Sequence, residues 1–152
     1  MPKASVKRLI ECKKEDLIKL VLDIEKYPEF VPFCFDAKVY ENKNEGDLTK
    51  IIADLTIGKG PFKDTYKSDV VFNRNADSIF VKNIEGPLNH LSNNWNFVNK
   101  KNGITEITFD IDFEIKNKFL NSLMVVSFQY GLEKIADAFQ KRAEQLFSSS
   151  KN

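Results

Sequence analysis

The sequence predicts a single α+β domain in which a seven-stranded, curved antiparallel sheet wraps around a long C-terminal helix. A length of 152 residues is that of one domain. The central part of the chain, residues 36–115, has apolar residues at every second position, which is typical of strands. The last part, about 30 residues, has them at every third or fourth position, which is typical of a helix with one apolar face. Elements in this order form an antiparallel sheet with helices on one face.

The chain begins with a predicted strand over residues 3–10, and two short helices are expected between it and the second strand. The first opens at Lys14-Glu15-Asp16 and ends before Pro28, since proline disrupts a helix interior. The second is a helical or turn segment from Tyr27 to Cys34, bounded by Pro28 and Pro32. The apolar face of the first helix consists of Leu17, Leu20, Val21 and Ile24.

Six consecutive strands are predicted in the central part of the chain. The clearest alternation runs from Ile107 to Ile115, where polar Thr108, Asp110, Asp112 and Glu114 lie between the apolar residues. Turn-forming Asn, Gly and Asp residues separate the strands, which favours a meander. The weaker runs cover residues 37–43, 48–57, 64–74, 78–85 and 91–99.

A long amphipathic helix closes the chain, and residues 148–152 are predicted to be a frayed tail. Because a strongly twisted sheet of this width curls around a helix, the domain should be grip-shaped. Its interior is then either a filled core or an apolar cavity, and the pattern fits both. The apolar face of the helix consists of Leu120, Met124, Phe128, Leu132, Ile135, Phe139, Ala143 and Leu146.

The composition is rich in apolar volume and poor in catalytic side chains, with thirteen Phe beside one His and two Cys. His90 is near no nucleophile motif, so we expect a surface or turn histidine, no catalytic residue and no catalytic cofactor. No residues have metal-ligand spacing, and two thiols in a chain of this size indicate a reducing compartment. A net charge of +1 argues against DNA binding. The longest apolar run, Leu123 to Val126, is too short to span a membrane, so we expect a soluble or peripheral protein.

The segment Tyr27 to Phe35 is unusually aromatic and is pinned by two prolines, which fix the directions of its rings. Two interpretations remain open for it. The aromatic side chains either plug the core or form the mouth of a hydrophobic pocket, where an apolar ligand takes the place of part of the core.

Several stretches resemble the coenzyme Q-binding START-domain family and its RatA-type bacterial relatives, within the SRPBCC, polyketide cyclase-like superfamily. They are YPEFVPFC at 27–34, Ser68 with Val70, EGPLNHLSNNWNF at 85–97, GITEITFDIDFEIKNKF at 103–119 and AFQKRA at 138–143. The resemblance covers nearly the whole chain in the same order, and it implies a helix-grip fold.

The resemblance implies two main functions. One is binding of ubiquinone, or a similar polyisoprenoid lipid, in an apolar cavity, with delivery or positioning for respiratory electron transport or quinone biosynthesis. The alternative is a toxin-like factor of toxin–antitoxin type that binds the large ribosomal subunit and inhibits subunit association. A cyclase or aromatase-type enzyme is third, since fold alone does not fix function.

Under the lipid-binding hypothesis, ubiquinone is a bound ligand, and the protein acts in the bacterial cytoplasm with transient, peripheral contact to the inner membrane surface. Headgroup carbonyls would need one or two hydrogen-bond donors, for which Tyr27, Ser68, Trp95 and Asn96 are the candidates. The expected cavity lining consists of Tyr27, Phe30, Val31, Phe33, Ser68, Trp95, Phe97, Met124, Phe128 and Leu132.

Overall fold

A computed structural model describes residues 3–59 and 61–147. For residues 59, 62, 120 and 123–127 it describes the backbone but not the side chain. The predicted frayed tail, residues 148–152, lies outside the described residues. The described residues form seven strands, β1–β7, and two helices, α1 and α2. A 3-10 helix at Ile24–Glu29 lies between α1 and β2, and a 3-10 turn at Lys101–Gly103 lies between β6 and β7. Their bounds are β1 Lys3–Ile10, α1 Lys14–Leu22, β2 Cys34–Glu45, β3 Leu48–Lys59, β4 Phe62–Asn73, β5 Ser78–Glu85, β6 Leu88–Asn99, β7 Thr105–Ile115 and α2 Lys118–Phe147.

The seven strands form one antiparallel sheet in the order β1-β7-β6-β5-β4-β3-β2. Strands β2 to β7 are a meander, and β1 pairs with β7 along its whole length. The predicted α+β helix-grip fold is confirmed. Several strands are longer than predicted, because period two marks only strands with one buried face. In β2, for example, residues 40–45 are all exposed, so no apolar alternation identifies them.

The two predicted short helices are present, but the boundary between them was predicted wrongly. Helix α1 ends at Leu22, because Asp23 leaves the helical region with φ −85° and ψ 66°. Pro28 lies inside the 3-10 helix that follows and does not end α1. A short 3-10 segment tolerates proline there because few of its N–H groups need an intrahelical partner.

The sheet buries its concave face against α2. On β7, Ile107, Phe109 and Phe113 are buried, as the alternation predicts. The predicted apolar face of α2 is wrong in its last turn, where Leu146 is 54% exposed. The face instead continues from Ala143 to Phe147, four residues on, which packs against the core.

Candidate functional site

The apolar interior divides into two groups of side chains along the concave face. The larger, called the main core, lies under the C-terminal half of α2 and includes Trp95, Phe109 and Phe139. The smaller, called the second cluster, lies at the end of the sheet where α2 begins. Its buried members are Tyr66, Leu88, Leu91 and Phe113, with Leu55, Ile111, Ile115 and Phe128 packed against them.

Local contacts bring the elements of the second cluster together. Leu88 opens β6, Ile115 closes β7, and Phe128 lies in the N-terminal half of α2. The Lys116 N–H donates to the Pro87 carbonyl at 2.8 Å, which joins the β7–α2 connection to the β5–β6 connection. The rings of Phe113 and Phe128 have centroids 4.6 Å apart, so sheet and helix meet directly in this cluster.

The main core is tightly filled by aromatic side chains. The ring of Trp95 lies 4.3 Å from that of Phe109 and 5.1 Å from that of Phe139, between centroids. Phe139 also contacts Tyr27 at 5.4 Å and Phe30 at 5.1 Å. A cavity of about 20 Å³ beside Trp95 and Phe139 has room for about one water molecule. This part of the interior packs as an ordinary protein core.

The residues predicted to line a cavity do not form one surface. Phe128 belongs to the second cluster, and Ser68 is fully buried on the concave face. Phe33 is half-buried beside Gly131 of α2, and the Met124 side chain lies outside the described residues. The assignment of these ten residues to a ligand therefore stays a prediction. Those that pack in or against the main core are Tyr27, Phe30, Val31, Trp95, Phe97 and Leu132.

Three of the four predicted headgroup donors are engaged or point elsewhere. The Tyr27 hydroxyl donates to the Val21 carbonyl, and burial raises the pKa of this tyrosine. The Ser68 hydroxyl donates to the Ala53 carbonyl at 3.1 Å. Asn96 is exposed on the outer face, opposite Ser78. The fourth, Trp95, is buried in the main core at 7% exposure.

Two polar side chains that were not predicted, Tyr66 and Asn93, face the interior. Tyr66 is only 9% exposed and belongs to the second cluster. Asn93 has a buried Oδ1 with no hydrogen-bond partner among the described residues. The alternation could have identified Tyr66, since it shares the inward phase of Ser68 and Val70 on β4.

Burial controls the ionisation of the groups around Tyr66. It raises the pKa of the Tyr66 phenol, with a smaller contribution from the nearby Cys34 thiol. Burial also raises the pKa of Cys34, to about 11. Both groups are therefore protonated at neutral pH, and the Tyr66 hydroxyl can donate a hydrogen bond. Cys12 and Cys34 are free thiols.

The acidic residues of β7 and the histidine lie on the outer face of the sheet. His90 is a surface residue, as expected, although it lies in β6 and not in a turn; its side chain is 40% exposed. Its Nε2 lies 3.5 Å from an Asp112 oxygen, and Lys3 Nζ lies 3.9 Å from the same carboxylate. No group of His, Cys, Asp or Glu within the described ranges could hold a metal ion. None of the helices described is long and apolar enough to cross a membrane.

A seven-stranded antiparallel sheet closed around one long helix, with an apolar interior, defines the helix-grip class of proteins. A START superfamily protein from Mycobacterium smegmatis has the same fold, with a TM-score of 0.80 and 20% identity over 95% of this chain and 98% of its own. The family model described as polyketide cyclase, dehydrase and lipid transport matches residues 10–140. The chain belongs to this family.

Two curated relatives are similar to the chain at the sequence level. The ribosome association toxin RatA of Rickettsia prowazekii is 30% identical over 91% of this chain and 94% of its own length. The mitochondrial coenzyme Q-binding protein COQ10 of Dictyostelium discoideum is 31% identical over 86% of this chain. The chain spans 63% of that second relative's length. The resemblance to a coenzyme Q-binding and RatA-like group is confirmed.

Proposed function

We propose that the protein binds a polyisoprenoid lipid, with ubiquinone as the first candidate, between the second cluster and the N-terminal half of α2. The observation that carries this proposal is the division of the interior. The main core is tightly packed, with a cavity of about 20 Å³ beside Trp95 and Phe139. The second cluster is a distinct group of buried side chains at the end of the sheet where α2 begins, and Leu55 and Ile111 pack against both groups. An apolar tail is suited to such a surface.

The chemistry of this surface fits a carrier. Each methylene of an isoprenoid tail contributes about 0.8 kcal/mol on leaving water, so a few isoprene units offset the cost of ordering the ligand. Apolar side chains such as Leu91, Phe113 and Phe128 supply all that the tail requires. His90 and Asp112 lie on the outer face of the sheet, away from this cluster. Their position favours a carrier function rather than cyclase-type catalysis.

A carrier must exchange its ligand with a membrane, and the same end of the sheet has exposed apolar side chains. Phe119, in the first turn of α2, is 67% exposed, and Phe35, at the start of β2, is 47% exposed. Lys63 Nζ lies 4.0 Å from the centroid of the Phe35 ring. Aromatic residues beside lysines suit transient contact with an anionic membrane surface. We propose that the protein works in the bacterial cytoplasm and delivers or positions quinone for respiration or quinone biosynthesis.

Binding to the large ribosomal subunit is the second candidate function. It is favoured by the similarity to RatA, which extends over 94% of that relative. Such binding would use lysines against RNA phosphates and would weaken as salt rises. The protein surface as a whole is only weakly basic, because the net charge is +1 and some lysines form ion pairs, such as Lys67 with Glu85. A weakly basic surface does not favour binding to RNA.

Lipid extraction tests the first function. The protein is purified from a quinone-producing bacterium and extracted with organic solvent, and we expect ubiquinone at near-stoichiometric amounts by mass spectrometry. Added short-chain ubiquinone should raise the melting temperature of the emptied protein, because it binds only the folded state. An unrelated protein of similar size, purified from the same cells, is the control.

The opposite result would overturn the carrier function. This result is the absence of quinone in repeated extractions together with an unchanged melting temperature. Salt-sensitive co-sedimentation with large ribosomal subunits would then support the second function.

A further inference from the structure

The polar side chains along the concave face differ in whether the protein satisfies them. Ser68 donates to the Ala53 carbonyl at 3.1 Å. Asn83 accepts from the Leu91 N–H at 2.9 Å. Asn93, on strand β6, has a buried Oδ1 without a hydrogen-bond partner among the described residues. The unmatched oxygen therefore does not reflect a general lack of partners in this sheet.

Asn93 lies at the boundary between the two apolar groups of the interior. The residues two positions away on β6 are Leu91, in the second cluster, and Trp95, in the main core. On the neighbouring strands Asn93 is paired with Val81 of β5 and Ile111 of β7. These two residues and Asn93 face the interior, yet each is only half-buried. Inward-facing residues near the middle of a sheet stay accessible only where the interior is not completely filled, so an open space borders Asn93.

The unmatched oxygen of Asn93 is costly for the folded protein. A buried polar atom without a partner loses its hydrogen bonds to water and gains none in return. Leucine has nearly the same shape as asparagine and would avoid this cost. Buried unsatisfied groups are rare in native proteins, and a functional role is one explanation for them. A ligand in the adjoining space can satisfy the oxygen, because the last torsion of an asparagine side chain turns easily.

We propose that Asn93 Oδ1 accepts a hydrogen bond from a hydroxyl group of the bound ligand. The inference rests on the proposed lipid-binding function and deepens it, because it defines the oxidation state of the ligand. A carbonyl or ether oxygen cannot donate to Oδ1, whereas a quinol has two hydroxyl groups that can. The protein therefore binds the reduced, quinol form of ubiquinone more tightly than the oxidised form. The headgroup lies beside Asn93, and the tail extends along Leu91, Phe113 and Phe128.

The test compares the reduced and oxidised forms of ubiquinone with a two-isoprene tail. Both affinities are measured by isothermal titration calorimetry in anaerobic buffer, where the quinol stays reduced. The wild-type protein should bind the quinol about fivefold more tightly than the quinone, as for one additional hydrogen bond. In Asn93→Leu this preference should disappear, because quinol affinity falls about fivefold while quinone affinity does not fall. The melting temperature of the ligand-free variant should not fall, because an unmatched buried oxygen has been removed.

Asn96→Leu is the matched control. Asn96 is on the same strand, and its side chain is exposed on the outer face of the sheet, opposite Ser78. The same chemical change there should leave both affinities unchanged.

The possible failures of the inference and of the proposed function can be told apart. Equal affinity of the wild-type protein for quinol and quinone would overturn the inference and leave the proposed function standing. A preference for quinol that survives in Asn93→Leu would overturn the role of Asn93. A fall of equal size for both forms in this variant would indicate a packing role and would also overturn it. Binding of neither form to the wild-type protein would overturn the proposed function and this inference together.

Discussion

At the scale of single residues, Gly86 fixes the connection between β5 and β6 against the second cluster. Its φ of +133° is a conformation that other residues rarely adopt. A Cβ at this position would lie 2.8 Å from the Cβ and 2.9 Å from the Cα of Tyr66, both closer than real Cβ contacts. The backbone of the connection therefore rests directly on β4, and it holds the Tyr66 side chain in place.

Replacing Gly86 with alanine should destabilise the protein by about 3 kcal/mol or more, because backbone strain and a steric clash add together. Gly46→Ala is the control, since Gly46 also has a positive φ, +61°, but has no atom within 4 Å of the added Cβ. It should lose only about 1–2 kcal/mol. Urea unfolding of both variants measures the two losses. Equal losses would contradict close packing of Gly86 on Tyr66.

The alternation of side chains along a strand indicates which residues face the interior but not whether their polar atoms are satisfied. Alternation on β4 gives Ser68 and Tyr66 the same inward phase, since side chains alternate along a strand. It does not reveal that the Ser68 hydroxyl reaches the Ala53 carbonyl on the neighbouring strand, or that the Asn93 Oδ1 is buried without a partner among the described residues. Those outcomes depend on the register between strands and on distances across the interior, which no local pattern records.

At the scale of elements, the aromatic 3-10 segment docks on the C-terminal half of α2. Arg142 Nη2 donates to Glu29 Oε1 at 2.7 Å, and the Arg142 guanidinium lies 5.0 Å from the centroid of the Phe30 ring. Tyr27 and Phe30 both pack edge-on against Phe139. Of the two interpretations left open by the sequence, these two rings fit the core plug. The contact with Arg142 could not be predicted, because Arg142 lies 113 residues along the chain from Glu29.

The contact between Glu29 and Arg142 should make stability depend on pH. The hydrogen bond from Arg142 lowers the pKa of Glu29 below its usual 4.5. A lowered pKa in the folded state gives stability that is present above the unfolded pKa and is lost as the pH falls through the folded value. Glu29→Gln should therefore melt slightly below the wild type at pH 7, and the difference should shrink below about pH 4.5.

Thermal melting of both proteins from pH 7 to pH 3 measures this difference. Glu45→Gln is the control, since Glu45 forms an exposed pair with Lys50 that does not involve α2. It is expected to melt near the wild-type temperature at pH 7. A difference between Glu29→Gln and the wild type that stays constant down to pH 3 would contradict the assigned role of the carboxylate.

At the scale of the whole molecule, one concave face serves two purposes along its length. The main core joins β1 and β3–β7 to α1 and the C-terminal half of α2, and its packed aromatics supply stability. The second cluster lies at the other end, where α2 begins, and there we propose that a ligand completes the interior. Helix α2 contributes to both, with Phe139 in the main core and Phe128 in the second cluster. The same substitution can therefore be made in each part.

Phe139→Ala and Phe128→Ala should separate stability from binding. Phe139 is 5% exposed and contacts three other aromatic rings, so its loss should lower the free energy of unfolding by about 3–5 kcal/mol. Quinone affinity of the folded Phe139→Ala protein should be unchanged. Phe128 is half-buried against Phe113, so Phe128→Ala should cost less stability and weaken quinone binding about tenfold, since the tail loses an aromatic contact.

Urea unfolding and fluorescence titration, at a temperature where both variants are folded, measure the two quantities. Equal weakening of quinone binding in both variants would mean that the ligand contacts the main core as well, and it would contradict the proposed division of the interior.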